Sequence, residues 1–323
     1  MTPAFQIVAA GIDITAMIRT RLLGLTITDE AGIKSDTLEI ELDDRDSAIE
    51  LPMPGALIAV AIGYKGSLLV PQGIYTAEEV TLSGPPDRMV IRARATNFGG
   101  SLKDQKTRGW EDKTIGDIVA IIAGEHGLEG VVSTALSSFN YKRLDQTEES
   151  DMNFLRRIAD NHDATTSAKG GKLIFAERAK GLSVSGLAIP PALIRRKGVL
   201  DWSVTRATRG AFGAVEAAWY DHEAGNKISV KVGDGVPVKK LKRQYLTEDE
   251  ATRAAQAEFD ACGRGDTSLS ISMPGDPSMF AAQPMIVSGF RFGIDGLWTC
   301  ERVVHSITDG GFLTSVEAAP ILA

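Results

Sequence analysis

Cysteine is nearly absent: Cys262 and Cys300 are the only two in 323 residues. That is too few for a disulfide scaffold, and they lack the CxxC spacing of a metal or redox site. Two inert buried thiols are the expectation. Long apolar runs are missing as well. The longest, Ala56 to Ile62, has seven residues, against the ~20 that span a bilayer, so no membrane insertion is expected. Met1 to Ala10 has neither the basic segment nor the apolar stretch of a signal peptide, which points to synthesis and folding in cytoplasm. Positive charge does not dominate either. Lys plus Arg number 35 against 42 Asp plus Glu, a net charge of −7, which disfavours a large nucleic-acid-binding face.

The usual signatures of chemistry are also missing. Gly233-Asp234-Gly235 is followed by no third glycine and no helix, and no Walker sequence occurs. Gly181-Leu182-Ser183-Val184-Ser185-Gly186 misplaces the second glycine of a nucleophile elbow and reads as loop. His126, His162, His222 and His305 stand far apart, none with the i, i+4 partner that places two zinc ligands on one helix face. His126 and His162 fall where helices end, where interaction with the helix dipole competes with a His162-Asp163 acid/base pair. Carboxylates are plentiful, but nothing singles out a glycosidase pair. No catalytic residue, cofactor or metal is expected.

What remains describes a folded, mainly β chain. Hydrophobic residues make up 43% and charged residues 24%, ordinary values for a globular protein of two or three domains. Leu38, Ile40 and Leu42 alternate with Glu39 and Glu41, and Met89 to Ala95 repeats the pattern after the turn residues Gly84-Pro85-Pro86-Asp87. The first hundred residues therefore read as all-β. Residues 102 to 180 change period. Thr114 and Asp117 form a capping-box start to a helix ending near His126, with Ile115, Ile118, Val119 and Ile122 on one face. Ser150 caps a second helix, with Glu148, Glu149 and Asp151 near its positive end and Met152, Leu155, Ile158 and Ala159 as its apolar stripe. Gly170-Gly171 then marks a hairpin between strands 164–168 and 172–176. Pro190-Pro191 and Arg195-Arg196-Lys197 suit a linker. Strands resume near Leu200, interrupted by a helix that Thr247 and Glu250 cap and Gly263 closes, with Ala251, Ala254, Ala255, Phe259 and Cys262 inward.

An internal repeat organises the ends of the chain. Gly73-Ile74-Tyr75-Thr76-Ala77-Glu78-Glu79-Val80-Thr81-Leu82-Ser83 aligns without gaps to Gly296-Leu297-Trp298-Thr299-Cys300-Glu301-Arg302-Val303-Val304-His305-Ser306. Upstream, Leu38 to Leu42 mirrors Leu269 to Met273, and Pro54 before Leu57-Ile58 mirrors Pro284 before Ile286-Val287. Downstream, Arg88 to Ala95 mirrors Phe312 to Ala318. A duplicated unit suits a ring whose pseudo-symmetry exceeds its subunit count, which favours assembly over catalysis.

Two charge clusters stay open between readings. Acidic residues crowd from Asp29 to Glu50, and Glu39, Glu41, Asp43 and Asp44 either form a solvated strand face or line a pore that repels a passing polyanion such as DNA. Lys239-Lys240-Leu241-Lys242-Arg243 is either a solvated loop or a partner-docking patch.

The run Lys106-Thr107-Arg108-Gly109-Trp110, then Thr114 to Val119, Glu125-His126-Gly127-Leu128 and Asp145 to Leu155, resembles the centre of the phage late control D family, the tail hub of contractile-tailed phages. Gly170-Gly171-Lys172-Leu173 and Pro54-Gly55 leading to Ile62-Gly63-Tyr64 extend the likeness. So do Thr247 to Ala257 and the Trp298-to-His305 strand. The resemblance implies a mixed, mainly β fold in which two related tail-tube-like β-barrel domains, 1–100 and 183–323, flank a small α/β LysM-like domain at 101–182, with a helix near 247–262. It implies a structural protein of the tail baseplate of a contractile phage virion or a tailocin, assembled in the host cytoplasm. The hub would be a homotrimer whose pseudo-sixfold ring joins the hexameric tail tube protein to the trimeric spike protein, contacts other baseplate proteins and leaves an axial channel for genome ejection. DNA would only pass through. The competing class is a tail-tip protein that binds or degrades peptidoglycan. The family's name suggests transcriptional control, but there is no helix-turn-helix signal and no basic recognition helix.

Overall fold

The computed structural model describes residues 1–32, 35–95, 100–169, 171–178, 189–207, 212–221, 225–264 and 266–321. Gly170, the segment Gly181 to Gly186 and His222 lie outside the described residues. The chain is mainly β, with 55% strand and 17% helix. It divides into two compact units. One comprises 1–96, 191–203 and 269–318, and the other 97–190, 204–268 and 319–323.

The first unit carries both copies of the repeat in one sheet. The strand path of that sheet runs Asp201–Ala207, Asp266–Pro274, Gly311–Pro320, Gly296–Thr308, Leu22–Glu30, Thr37–Asp43, Arg88–Ala95, Val70–Ser83, Leu57–Tyr64, Pro3–Ala9 and Ile12–Asp13, with Ala192–Arg195 and Pro284–Ser288 paired off this path, and its end residues 204–207, 266–268 and 319–320 are counted with the second unit. The path is open at both ends, so neither copy closes into a barrel among the described residues. Period-two alternation drives the layering. Leu38, Ile40 and Leu42 are buried while Glu39 is exposed, and Ile7, Leu25, Ile27, Ile62 and Met89 join them in one core. Each such side chain contributes roughly 1.5–3 kcal/mol. Among the described residues of that all-β stretch, a short helix, Thr15–Ile18, departs from the expectation. It sits where Asp13 accepts from the Thr15 backbone N–H at 2.9 Å.

In the second unit, Gln105–Thr114 and Asn140–Ser150 pair antiparallel, with Trp110 opposite Leu144. Helix Ile115–Glu125 starts at Thr114, whose hydroxyl accepts from the Asp117 N–H while Asp117 accepts from the Thr114 N–H, the full capping box expected. Helix Asp151–Asp160 starts at Ser150, which accepts from Asn153 N–H. Its inward face is Phe154, Leu155, Ile158 and Ala159. Phe154 takes the central place that the spacing gave to Met152, which is only half-buried, and it stacks on Trp110 with centroids 5.7 Å apart. Strands Ala164–Lys169 and Lys172–Glu177 form the expected hairpin, and Glu129–Val132 adds to it in parallel. Strands Asn226–Val232, Ala214–Asp221 and Val238–Tyr245 form a three-stranded sheet. Helix Glu248–Arg264 packs on it through Ala251, Ala254 and Ala255 against Val215, Ala217 and Tyr245. Small residues on that face let the helix lie close to the sheet. No described helix is long and apolar enough to cross a membrane.

Candidate functional site

The two copies of the repeat share strand register, pair by pair. In the first copy Leu57 lies opposite Thr76, Ile58 opposite Tyr75, Ala59 opposite Ile74 and Val60 opposite Gly73. In the second, Pro284 lies opposite Thr299, Met285 opposite Trp298, Ile286 opposite Leu297 and Val287 opposite Gly296. Leu38, Ile40 and Leu42 face Ala93, Ile91 and Met89, as Leu269, Ile271 and Met273 face Ala318, Val316 and Thr314. This register corrects one equivalence. Pro284 occupies the place of Leu57, not of Pro54, because the strand in the second copy is shorter and its proline opens it.

Local chemistry repeats with the register. Gly73 has φ +120° and Gly296 φ +147°, a region open essentially to glycine alone. Tyr75 and Trp298 are both buried. Each satisfies its polar tip on a nearby carbonyl, the Tyr75 hydroxyl donating to Gln72 O at 3.0 Å and the Trp298 indole to Ile294 O at 2.8 Å. The Cys300 thiol stands at the place of Ala77. Burial pushes its pKa up to about 12, so it is an inert small residue of the core.

The face of this sheet opposite the core is a charged lattice. Residues Ser306, Thr26, Glu39, Arg92 and Glu79 lie side by side across five strands. Arg92 bonds Glu39 at 2.9 Å and Glu79 at 3.2 Å, Arg88 bonds Glu41 at 2.7 Å, and Arg94 bonds Glu78 at 3.1 Å. The hydrogen bond it donates to Glu39, with Glu79 nearby, raises the pKa of the Arg92 guanidinium. Asp43 pairs with Arg45 at 2.6 Å. Asp44 is 8% exposed, and its backbone N–H donates to Asp87 O at 3.1 Å. The acidic crowding in the sequence is thus interleaved with arginines from an adjacent strand. Arg88, Arg92 and Arg94, four and two residues apart and therefore on one face of Arg88–Ala95, are the signal for this. Such exposed pairs contribute ~0–1 kcal/mol each and chiefly fix the charge pattern of the surface.

The second unit holds a buried ion-pair network. Asp151 is fully buried and accepts from Lys106 Nζ at 2.6 Å, Arg108 at 2.7 Å and Gln146 Nε2 at 2.9 Å, with His126 Nε2 at 2.8 Å. Burial alone would raise its pKa, but the hydrogen bonds from Lys106, Gln146 and His126 outweigh that and hold it at about 2. Glu125 joins through Lys106 at 2.8 Å and Arg108 at 2.5 Å. Glu125, His126 and Asp151 have the spacing of a metal-ligand set. Lys106 and Arg108 already occupy the positions from which a cation would neutralise these carboxylates. His126 therefore serves this network, and sequence spacing could not foresee it, since Asp151 lies 25 positions along the chain. His162 bonds the Tyr141 hydroxyl at 2.7 Å and abuts Phe139 edge-on. Burial brings its pKa down to about 4, so at neutral pH it carries no charge for a helix dipole to hold. His305 is buried, with Nε2 against Met279 O at 3.1 Å and Nδ1 against the Thr314 hydroxyl at 3.0 Å. These are structural histidines. In the basic run, Lys239 pairs with Glu258 at 2.5 Å and Lys240 with Glu216 at 3.1 Å.

The comparisons with known proteins agree with a site made of surfaces. The profile of the family "Phage tail baseplate hub (GPD)" matches residues 35–311. The probable baseplate hub protein of Escherichia phage P2 is 34% identical, over 98% of this chain and 93% of its own length. That of Escherichia phage 186 is 32% identical, over 98% and 92%. Among solved structures, the 43 kDa tail protein of prophage MuSo2 from Shewanella oneidensis superimposes with a TM-score of 0.73 at 15% identity, covering 98% of each chain. The relatives are structural proteins of the virion tail, a family not known as enzymatic. The chain belongs to the phage tail baseplate hub family.

Proposed function

We propose that the protein is the hub of a contractile-tail baseplate, a homotrimer that presents six quasi-equivalent strand units as a ring. The observation that carries this reading is the repeat, which holds in register as well as in sequence, so three chains supply six copies of one shape. Each copy is the counterpart of one tail-tube-like barrel domain, and the ring matches a hexameric tube on one side and a trimeric spike on the other. The polar lattice of the sheet faces the axial channel, with Glu39, Glu41 and Asp43 at its surface and the buried Asp44 at the end of the strand. Interleaved acids and arginines present DNA with no continuous positive track, so the genome passes without being held. The middle domain keeps a LysM-like shape as a rigid element, its polar centre closed by Asp151 and its partners. Assembly takes place in the host cytoplasm, with further baseplate proteins docking outside.

The test is the solution mass of the purified full chain by light scattering, alone and with its spike protein. A mass of three chains, or a complex of three chains with three of spike, is expected. A monomer that ignores spike overturns the trimer and returns weight to a wall-binding tail-tip protein.

A further inference from the structure

Within the first unit the two copies of the repeat are joined by a strand pair. Arg302 to Thr308 of the second copy runs antiparallel to Glu30 to Gly24 of the first. The Ala31 N–H extends the ladder onto Glu301 O at 2.8 Å. Along this junction the core face of the strand is covered, with Val303 0%, His305 1% and Ile307 5% exposed. The repeat contains the same edge a second time. Val80 and Leu82 stand where Val303 and His305 stand, yet Leu82 is 55% exposed. Bonding on the Leu57–Tyr64 side runs on to Ala77, whose N–H donates to Ala56 O at 2.9 Å and whose carbonyl accepts from the Gly55 N–H at 2.8 Å, and from Glu78 to Ser83 the described strand pairing is with Arg88–Ala95.

The complementary edge also occurs a second time. Leu22–Glu30 flanks Thr37–Asp43, with Gly24 opposite Glu41. Asp201–Ala207 is the hydrogen-bonded neighbour of Asp266–Pro274 and ends the sheet path among the described residues. The Leu200 N–H bonds Ser272 O at 2.8 Å, and Ser272 is the repeat equivalent of Glu41. Leu200 to Arg206 therefore corresponds to Gly24 to Glu30. The chain holds two copies of a male edge and two of a female edge, and among the described residues only one of each is used within it.

We propose that the edge Glu78–Ser83 of one protomer pairs with the edge Asp201–Thr205 of a second copy of the chain, in the register that the internal junction already shows. This rests on the ring reading above and supplies its interface. Transferring the register places Glu79 opposite Arg206, Thr81 opposite Val204 and Leu82 opposite Ser203. Charge supports the transfer. At the internal junction Arg302 pairs with Glu30 at 3.3 Å, and the equivalent positions hold Glu79 and Arg206, the same two charge types exchanged between the strands, each also engaged within its own chain. The pairing is head-to-tail, the kind that closes into a ring when its rotation divides a full turn and that removes two exposed sheet edges. It also covers Leu82.

The experiment uses the full chain carrying Cys262→Ser, Thr81→Cys and Val204→Cys. Thr81 is exposed and Val204 half-buried, so neither change threatens the fold. Their counterparts Val304 and Thr28 are directly opposed at the internal junction, within the distance a disulfide spans. Mild oxidation, read on a non-reducing gel, is expected to link chains into dimers and trimers with no higher species. A control with Ser83→Cys and Val204→Cys, out of register, is expected to stay unlinked. If light scattering shows a trimer and the in-register pair does not link, this edge assignment falls while the ring reading stands. If the protein is monomeric and unlinked, both fall. Equal linking by the out-of-register pair also overturns the assignment.

Discussion

Asp151 shows what one buried carboxylate asks of its surroundings. Four groups from three elements satisfy it, and removing one partner of such a buried set costs about 3–5 kcal/mol. Its sequence position suggested only a favourable place in the first turn of a helix. The helix N-terminus was legible because capping is local, whereas the network was not, since Lys106, Arg108 and Gln146 arrive from the preceding strands. Two groups give the fold a definite acid response. His162 has a folded pKa of about 4 against 6.5 unfolded, so the unfolded chain takes up its proton first, and stability falls as pH drops from 6.5 towards 4. Asp151, at about 2 against 3.8, contributes fully above 3.8 and loses its contribution below that. Urea denaturation across these ranges should show both declines. In His162→Gln the upper decline should disappear while the lower persists. A wild-type stability that is flat between pH 6.5 and 4 would contradict the burial of His162.

At the scale of elements, alternation and capping residues read well. Thr114 with Asp117, Ser150, and the alternating Leu38, Ile40 and Leu42 all act as their spacing indicates. Long strand pairs of mixed polarity read poorly. Gln105–Thr114 and Asn140–Ser150 carry charge on both sides because arginine and lysine stems cover the core edge while their heads bond Asp151 and Glu125. The repeat was readable wherever backbone conformation constrains residue type, as at Gly73 and Gly296. It misled at Pro54 and Pro284, where strands of different length shift the proline by three places. Gly296→Ala is a clean probe. A Cβ there would meet nothing within 4 Å, so any cost comes from φ alone. Thermal unfolding should report a loss on the order of 1–3 kcal/mol. An unchanged midpoint would show that this bend tolerates a side chain.

For the whole molecule, sequence and structure meet on the duplicated strand unit and part on its enclosure. Two separate barrels were the natural expectation from two similar halves, but closing a sheet needs every edge strand to find a partner, and the described residues of one chain leave edges over. Sequence alone could not show this, because strand order is set by pairing between segments hundreds of residues apart. Likewise, the acidic stretch from Asp29 to Glu50 could not reveal its arginine partners until Arg88–Ala95 was laid beside it. The central claim is that two copies per chain become six equivalent positions around a channel. Electron cryomicroscopy of the assembled tail end tests it most directly. The map should show three chains contributing six like strand units at one radius, with Glu39, Arg92 and Glu79 facing the axis. Two copies at unlike radii, or that charged row on the outer wall, would contradict the account.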